Sequence, residues 1–92
     1  MVAWSTDAVT EIVADYIVRA RSDVAGGILD QRTSLIEEGF LDSLFLIDLV
    51  AFLESRFSIA IDSEVVTPEN FETIGSIAKL VQSRLGEGGP SV

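Results

Sequence analysis

Apolar side chains recur every three or four residues in three separate stretches of this chain. Such spacing lines them up on one face of an α-helix, so it predicts three main helices with a shared apolar interior. We predict helices over residues 5–21 and 43–57, and a last helix that starts near Thr73. Thr67 and Pro68 form a helix-start signature and predict one additional short turn. The predicted fold class is therefore all-α, a small bundle of three to four helices.

The chain has 92 residues, which is the size of one small domain with one core. Residues 22–41 form a long first loop that is too apolar for a free linker, so we expect it to pack over the bundle in an ordered form. Gly86 is placed to end the last helix. We therefore predict a folded domain over residues 1–86 and a disordered tail over residues 87–92.

The composition removes the usual catalytic and metal-binding side chains. The chain has no cysteine and no histidine, so it lacks a thiolate nucleophile, the commonest general base and the commonest metal ligands. We therefore expect neither catalytic residues nor a metal site, and we expect a protein that is not an enzyme.

The formal net charge of −9 argues against binding to nucleic acid, which requires a basic face. It also argues against docking on an anionic membrane surface. A partner with a basic docking surface would be attracted, although acidity that only maintains solubility is the alternative. No signal peptide or membrane-spanning stretch is visible, so we expect a cytoplasmic protein. We also expect a monomer. Met1 and the loose tail favour a stand-alone protein, with a piece excised from a larger synthase as the alternative.

The second helix is apolar on nearly every side, which is typical of a helix that is buried on several sides or offers a surface to a partner. Its predicted core face holds Leu46, Leu49, Val50, Leu53 and Phe57. A second face groups three apolar residues with Ser43: they are Leu44, Ile47 and Ala51, beside Asp48 and Glu54. Phe45 and Phe52 lie on a third side, where they contact either a partner or the long first loop.

Asp42, Ser43 and Leu44 stand where the long loop meets this helix. A serine in the first turn points its hydroxyl away from the core, close to unpaired backbone N–H groups and the positive end of the helix dipole. A phosphate ester is tolerated at such a position, and Leu44 and Ile47 add an apolar shelf. The alternative interpretation is that Asp42 and Ser43 only cap the helix.

The residues around this triplet resemble the acyl carrier and peptidyl carrier protein family. Leu35 lies in the loop, Gly39 comes shortly before Asp-Ser-Leu, and an apolar helix ends at Phe57, fourteen residues after Ser43. The last helix is also similar to the family's, and the resemblance extends over almost the whole predicted domain, to Leu85. It implies a bundle of acyl-carrier type with a long first loop.

This resemblance implies that a phosphopantetheinyl transferase attaches 4'-phosphopantetheine to Ser43, with Asp42 assisting the transfer of the arm. Acyl or aminoacyl groups would then be held as thioesters. The implied partners are the transferase, an acyl- or aminoacyl-activating loading enzyme, and a downstream synthase, transferase or tailoring enzyme. The family docks partners on the helix after the serine, which implies five docking residues: Leu44, Ile47, Asp48, Ala51 and Glu54.

Two departures from the common fatty-acid carriers indicate a different pathway. Phe40 and Leu41 separate Gly39 from Asp42, where those carriers have one residue, and the second helix holds few acids. This pattern is more similar to D-alanyl carriers and to discrete carriers of natural-product pathways. The sequence therefore predicts a natural-product carrier, with a fatty-acid carrier or an unmodified helical interaction module as the alternatives. It does not identify the cargo.

Overall fold

The computed structural model describes residues 4–21, 32 and 34–87. Within these ranges the chain forms four α-helices and a 3-10 turn at Ser63–Val65. The helices are α1 (Thr6–Ala20), α2 (Ser43–Phe57), α3 (Pro68–Phe71) and α4 (Ile74–Glu87). No strand occurs in the described part of the chain, so the predicted all-α bundle is confirmed.

Each helix starts after a short polar side chain whose oxygen accepts a hydrogen bond from a backbone N–H of the first turn. These N–H groups have no carbonyl partner within the helix, and the side-chain oxygen of the capping residue accepts their hydrogen bond instead. The bond is 2.8 Å long at α2, from the N–H of Phe45 to Asp42 Oδ1. The four capping residues are Ser5, Asp42, Thr67 and Thr73. The predicted caps of α2, α3 and α4 are confirmed.

The predicted end of the last helix is wrong by a short distance. Helix α4 continues to Glu87, so Gly86 lies within the last turn and does not follow it. A glycine in a helix costs only about 1 kcal/mol relative to alanine, which does not prevent the helix from including Gly86 and one further residue. Of the predicted tail, Glu87 is helical, and residues 88–92 lie outside the described residues.

The core lies where one face of α1 and one face of α4 meet the buried face of α2. From α1 it takes Val9, Val13 and Ile17, and from α4 mainly Ile74, Ile77 and Val81. Helix α2 contributes Phe45, Leu49, Leu53 and Phe57, and Phe71 is the buried residue of α3. Among the described residues, no polar or charged side chain is buried. The bundle is therefore held together by apolar packing.

The buried face of α2 is rotated relative to the predicted one. Phe45 is buried, whereas Leu46 and Val50 are only partly buried. The reason is Tyr16 of α1, whose ring stacks on both phenylalanines, with centroids 5.9 Å from Phe45 and 3.9 Å from Phe52. Within the described residues, the ring that stacks on both phenylalanines belongs to α1; their predicted contact with a partner or with the part of the loop outside the described residues stays a prediction.

The described end of the long loop, residues 34–41, is attached to the bundle by side chains and backbone together. Leu35 and Phe40 are buried, and the N–H of Leu35 donates to the carbonyl of Glu72 at 2.6 Å. Gly39 turns the chain with a φ of +83°. The predicted packing of the loop over the bundle is confirmed for this part. Residues 22–31 and 33 of the predicted loop lie outside the described residues.

Replacing Leu53 by alanine should destabilise the domain by about 2–5 kcal/mol, because Leu53 is fully buried and its removal leaves a cavity. Urea unfolding followed by circular dichroism measures the change. Leu44→Ala is the matched control on the same helix, since Leu44 is 77% exposed, and it should change stability by less than about 0.5 kcal/mol. Equal losses in the two variants would contradict this assignment of faces.

Replacing Gly39 by alanine should destabilise the domain by about 1–2 kcal/mol, because an L-residue is strained in the left-handed region. A Cβ there would meet no atom within 4 Å, so the loss comes from the backbone conformation and not from a clash. Gly39→Asn should lose less, since asparagine tolerates this conformation better. Urea unfolding of the two variants tests this order, and equal stability of Gly39→Ala and the wild type would contradict it.

Candidate functional site

Ser43 is the first residue of α2, and it is exposed. The N-terminal backbone N–H groups of a 15-residue helix lie at this end, so the positive end of the helix dipole is beside Ser43. At the start of α1, the hydroxyl of Ser5 is occupied by capping. At α2 the cap is Asp42, which leaves the Ser43 hydroxyl without that task. The structure thus places an accessible hydroxyl at a helix start.

Asp42 has both carboxylate oxygens engaged. Oδ1 accepts the capping bond from Phe45, and Oδ2 accepts a bond from Arg21 Nη1 at 3.3 Å. The pKa of Asp42 is lowered, first by the hydrogen bond from the Phe45 backbone and then by the charge and hydrogen bond of Arg21, against the opposing effect of desolvation. Asp42 is therefore ionised at neutral pH and held in one orientation beside Ser43.

Arg21 connects the end of α1 to the chain that leads into α2. Its Nη1 also donates to the backbone carbonyl of Phe40 at 3.1 Å, and its guanidinium carbon lies 5.6 Å from the centroid of the Phe45 ring. The partners Phe40 and Asp42 are 19 and 21 residues away along the chain, so no local pattern reveals this contact.

An apolar groove begins beside Ser43. Its first part has a volume of about 280 Å³, and Asp42 and Ser43 form its polar edge. Its second part, also about 280 Å³, follows α2 toward Ile61. Leu46 and Val66 line both parts and lie at the boundary between them. Leu46 and Val50, predicted as core residues, therefore form the wall of a surface groove.

Four of the five predicted docking residues are exposed on α2: they are Leu44, Ile47, Asp48 and Ala51. Leu44 is 77% exposed and Ile47 is 66% exposed. Together with Ile36, these are the large apolar side chains that are exposed in the described part of the chain. Glu54 differs, because it is half-buried and its carboxylate accepts a hydrogen bond from the N–H of Ile61 at 2.9 Å. It holds the segment that leaves α2.

Larger clefts lie away from Ser43. One of about 500 Å³ lies between α1 and α2 and has mixed charges at its rim, including Glu11, Asp15 and Arg56. Another of about 620 Å³ lies near Lys79 and is lined mainly by polar side chains. Across residues 4–21, 32 and 34–87, no three acidic side chains cluster in a way that would hold a metal ion. None of the described helices is long and apolar enough to cross a membrane.

Comparisons with known proteins assign the chain to one family. The sequence profile of a family described as "Phosphopantetheine attachment site" matches residues 7–81. The chain is 39% identical, over 54 residues, to "Probable acyl carrier protein PigG" of Serratia sp. (strain ATCC 39006); the alignment covers 59% of this chain and 62% of that relative, less than two thirds of its length.

A solved structure shares the fold as well as part of the sequence. A chain in the structure described as "Crystal structure of FAD-dependent dehydrogenase" superimposes with a TM-score of 0.62 at 32% identity, and the match covers 75% of this chain and 97% of that chain. The family profile covers most of the helical bundle, including the start of α2 where the exposed serine lies. The chain therefore belongs to the phosphopantetheine-attachment family of carrier proteins, whose covalently attached prosthetic group is 4'-phosphopantetheine.

Proposed function

We propose that Ser43 is the residue to which 4'-phosphopantetheine is attached, and that the chain holds an acyl or aminoacyl group on this arm for other enzymes. The observation that carries the proposal is the exposed Ser43 hydroxyl at the start of α2, next to an ionised Asp42 that performs the capping. The positive end of the α2 dipole favours the negative charge of a phosphodiester there. Arg21 adds a positive charge close by.

The attachment is a phosphoryl-group transfer from coenzyme A. The Ser43 oxygen forms a bond to the phosphorus next to the pantetheine, the bond from that phosphorus to the bridging oxygen breaks, and 3',5'-ADP leaves with the electron pair. The hydroxyl proton must go to a base. Asp42 is a poor base at neutral pH because its pKa is lowered and both oxygens are engaged. The chain has no histidine, so the transferase supplies the base.

The residues around Ser43 are suited to the group. When bound, the arm supplies the thiol on which cargo is carried as a thioester, and this chain has no cysteine of its own. The polar edge at Asp42 and Ser43 borders the phosphate position, and the apolar groove with Leu41, Leu46 and Phe71 offers a surface for less polar parts of the arm or cargo. The chain itself binds and presents, and carries out no chemical step.

The finer role that we propose is a carrier of a natural-product pathway. Helix α2 carries only two acids, Asp48 and Glu54, and Glu54 is used internally. The surface beside Ser43 is instead apolar, with Leu44 and Ile47 exposed. A fatty-acid carrier, which offers a strongly acidic helix, fits this surface less well. The proposed partners are the transferase, a loading enzyme and a tailoring enzyme that makes apolar contact with α2.

The matched solved structure supports one class of tailoring enzyme as the partner, a FAD-dependent dehydrogenase. Three quarters of this chain cover nearly all of the matched chain, so that chain is smaller than the present one. A domain that binds a dinucleotide such as FAD is much larger than this. The matched chain is therefore of carrier size, and we propose that the present chain delivers its cargo to a FAD-dependent dehydrogenase. Such an enzyme transfers a hydride from cargo to oxidised FAD while a proton leaves the adjacent carbon, and a double bond forms.

This step has a direct test by mass. The chain is loaded from a panel of acyl- and aminoacyl-coenzyme A derivatives and then incubated with the dehydrogenase of the matched structure. Loss of two hydrogens from at least one loaded form supports the proposed partner, while the same mass for every form would rule out delivery to that dehydrogenase.

Ser43→Ala should abolish the gain of one phosphopantetheine when the chain is incubated with coenzyme A and a broad-specificity transferase, followed by intact mass spectrometry. Folding should be nearly unchanged, because Asp42 still caps α2. Ser55→Ala, an exposed serine further along the same helix, is the matched control and should load fully. If the wild type gains no mass with several transferases, the chain is an unmodified interaction module.

Ile47→Glu should lower kcat/KM for loading by about tenfold, which corresponds to about 1.4 kcal/mol, because a charge would replace an apolar contact with the transferase. Stability should change by less than about 0.5 kcal/mol, since Ile47 is 66% exposed. Ala60→Glu adds the same charge at an exposed position beyond the far end of α2 and should load normally. Unfolding of Ile47→Glu, or unchanged loading, would remove Ile47 from the docking surface.

A further inference from the structure

We propose that Arg21 is a positioning residue for the modification of Ser43, acting through Phe40 and Asp42. This inference rests on the proposed function, in which Ser43 accepts the arm. Arg21 does not contact the reacting hydroxyl in the observed structure. Arg21 binds the backbone carbonyl of Phe40 and the side chain of Asp42, which precede Ser43 in the chain. It thereby determines where α2 starts relative to the rest of the bundle.

The geometry shows a two-point attachment. A single nitrogen, Nη1 of Arg21, donates to the Phe40 carbonyl at 3.1 Å and to Asp42 Oδ2 at 3.3 Å. These two acceptors lie on either side of Leu41, so the guanidinium spans the last residues of the loop. The Phe45 ring lies 5.6 Å from the guanidinium carbon. The Arg21 side chain is 18% exposed and that of Asp42 is 61% exposed, so water screens the ion pair with Asp42, while the bond to the Phe40 carbonyl is part-buried.

The attachment starts from a rigid element. Arg21 follows α1 directly, and its N–H donates to the carbonyl of Ile17 at 2.8 Å. Val9, Val13 and Ile17 hold α1 in the core with no exposed surface. Arg21 therefore connects the residues just before Ser43 to a helix whose inner face is fully buried. The burial of Leu35 and Phe40 and their backbone bonds also hold this part of the chain.

This arrangement matters for transfer because the serine oxygen must be in line with the bond that breaks at phosphorus. If residues 40–43 moved relative to the bundle, the Ser43 hydroxyl would be in the correct position only part of the time. The apparent affinity of the transferase for the carrier then falls by the fraction that is competent, while the rate from the bound complex is unchanged. Loss of positioning therefore predicts an increase in KM without a matching loss of kcat.

The test compares Arg21→Gln and Arg21→Lys with Arg19→Gln as the matched control. Arg19 lies two residues earlier and pairs with Asp15 on the exposed side of α1. Loading from coenzyme A by a broad-specificity transferase is measured at several carrier concentrations by intact mass. We expect Arg21→Gln to raise KM about five- to tenfold with kcat within about twofold. Arg21→Lys should be intermediate, because lysine keeps the charge but lacks the planar guanidinium. Arg19→Gln should match the wild type.

A second readout does not depend on the transferase. In the apo-protein, the backbone amide signals of Ser43 and Phe45 in a ¹H–¹⁵N spectrum should shift or broaden in Arg21→Gln and stay in place in Arg19→Gln. A residue with only a general stabilising role would not move these signals selectively.

Several outcomes would overturn the positioning role. They are a folded Arg21→Gln with wild-type KM, a loss of kcat at unchanged KM, and amide signals of Ser43 and Phe45 that stay in place. If Arg21→Gln does not fold, Arg21→Lys decides by the same criteria. If the wild type itself is not loaded, the proposed attachment at Ser43 fails, and the amide signals still decide whether Arg21 orders the junction.

Discussion

The rest of the site depends on the carboxylate of Asp42, which joins the start of α2 to the end of α1. One oxygen completes the first turn of α2, and the other receives Arg21 from the end of α1. The start of α2 is thereby attached to both its own helix and its neighbour. Because Ser43 is the next residue, its backbone lies in this fixed first turn. A capping interaction, which in most helices only satisfies orphan N–H groups, here also orients the candidate attachment point.

The apolar side chains of α2 lie in four different surroundings, which explains why this helix is apolar on nearly every side. Leu49 and Leu53 fill the core, and Phe45 and Phe52 stack on Tyr16. Leu46 and Val50 line the groove that begins at Ser43. Leu44 and Ile47 remain exposed beside the serine. A helix that only packs against a core needs one apolar stripe. The additional apolar residues of α2 therefore indicate surfaces for an arm, a cargo or a partner.

The chain contributes structure and charge to the proposed function, and other molecules contribute the reactive groups. It has neither cysteine nor histidine, and its net charge of −9 favours encounter with a basic protein surface. Two of its few cations are used internally as well: Arg19 pairs with Asp15, and Arg56 lies 4.9 Å from the centre of the Trp4 ring. The acidic surface can then attract a partner, while the apolar side chains beside Ser43 provide the contact.

The sequence by itself determined the features that depend on neighbours along the chain. Helix caps such as Asp42 and Thr73, and the position of Ser43 in a first turn, follow from hydrogen bonds between residues three apart. Tertiary structure alone decided the rotation of α2. Because that helix is apolar on nearly every side, its pattern does not specify one buried face, and Tyr16 selected Phe45 over Leu46. It also decided the partner of Arg21, since an ion pair across 21 residues leaves no periodic signal in the sequence.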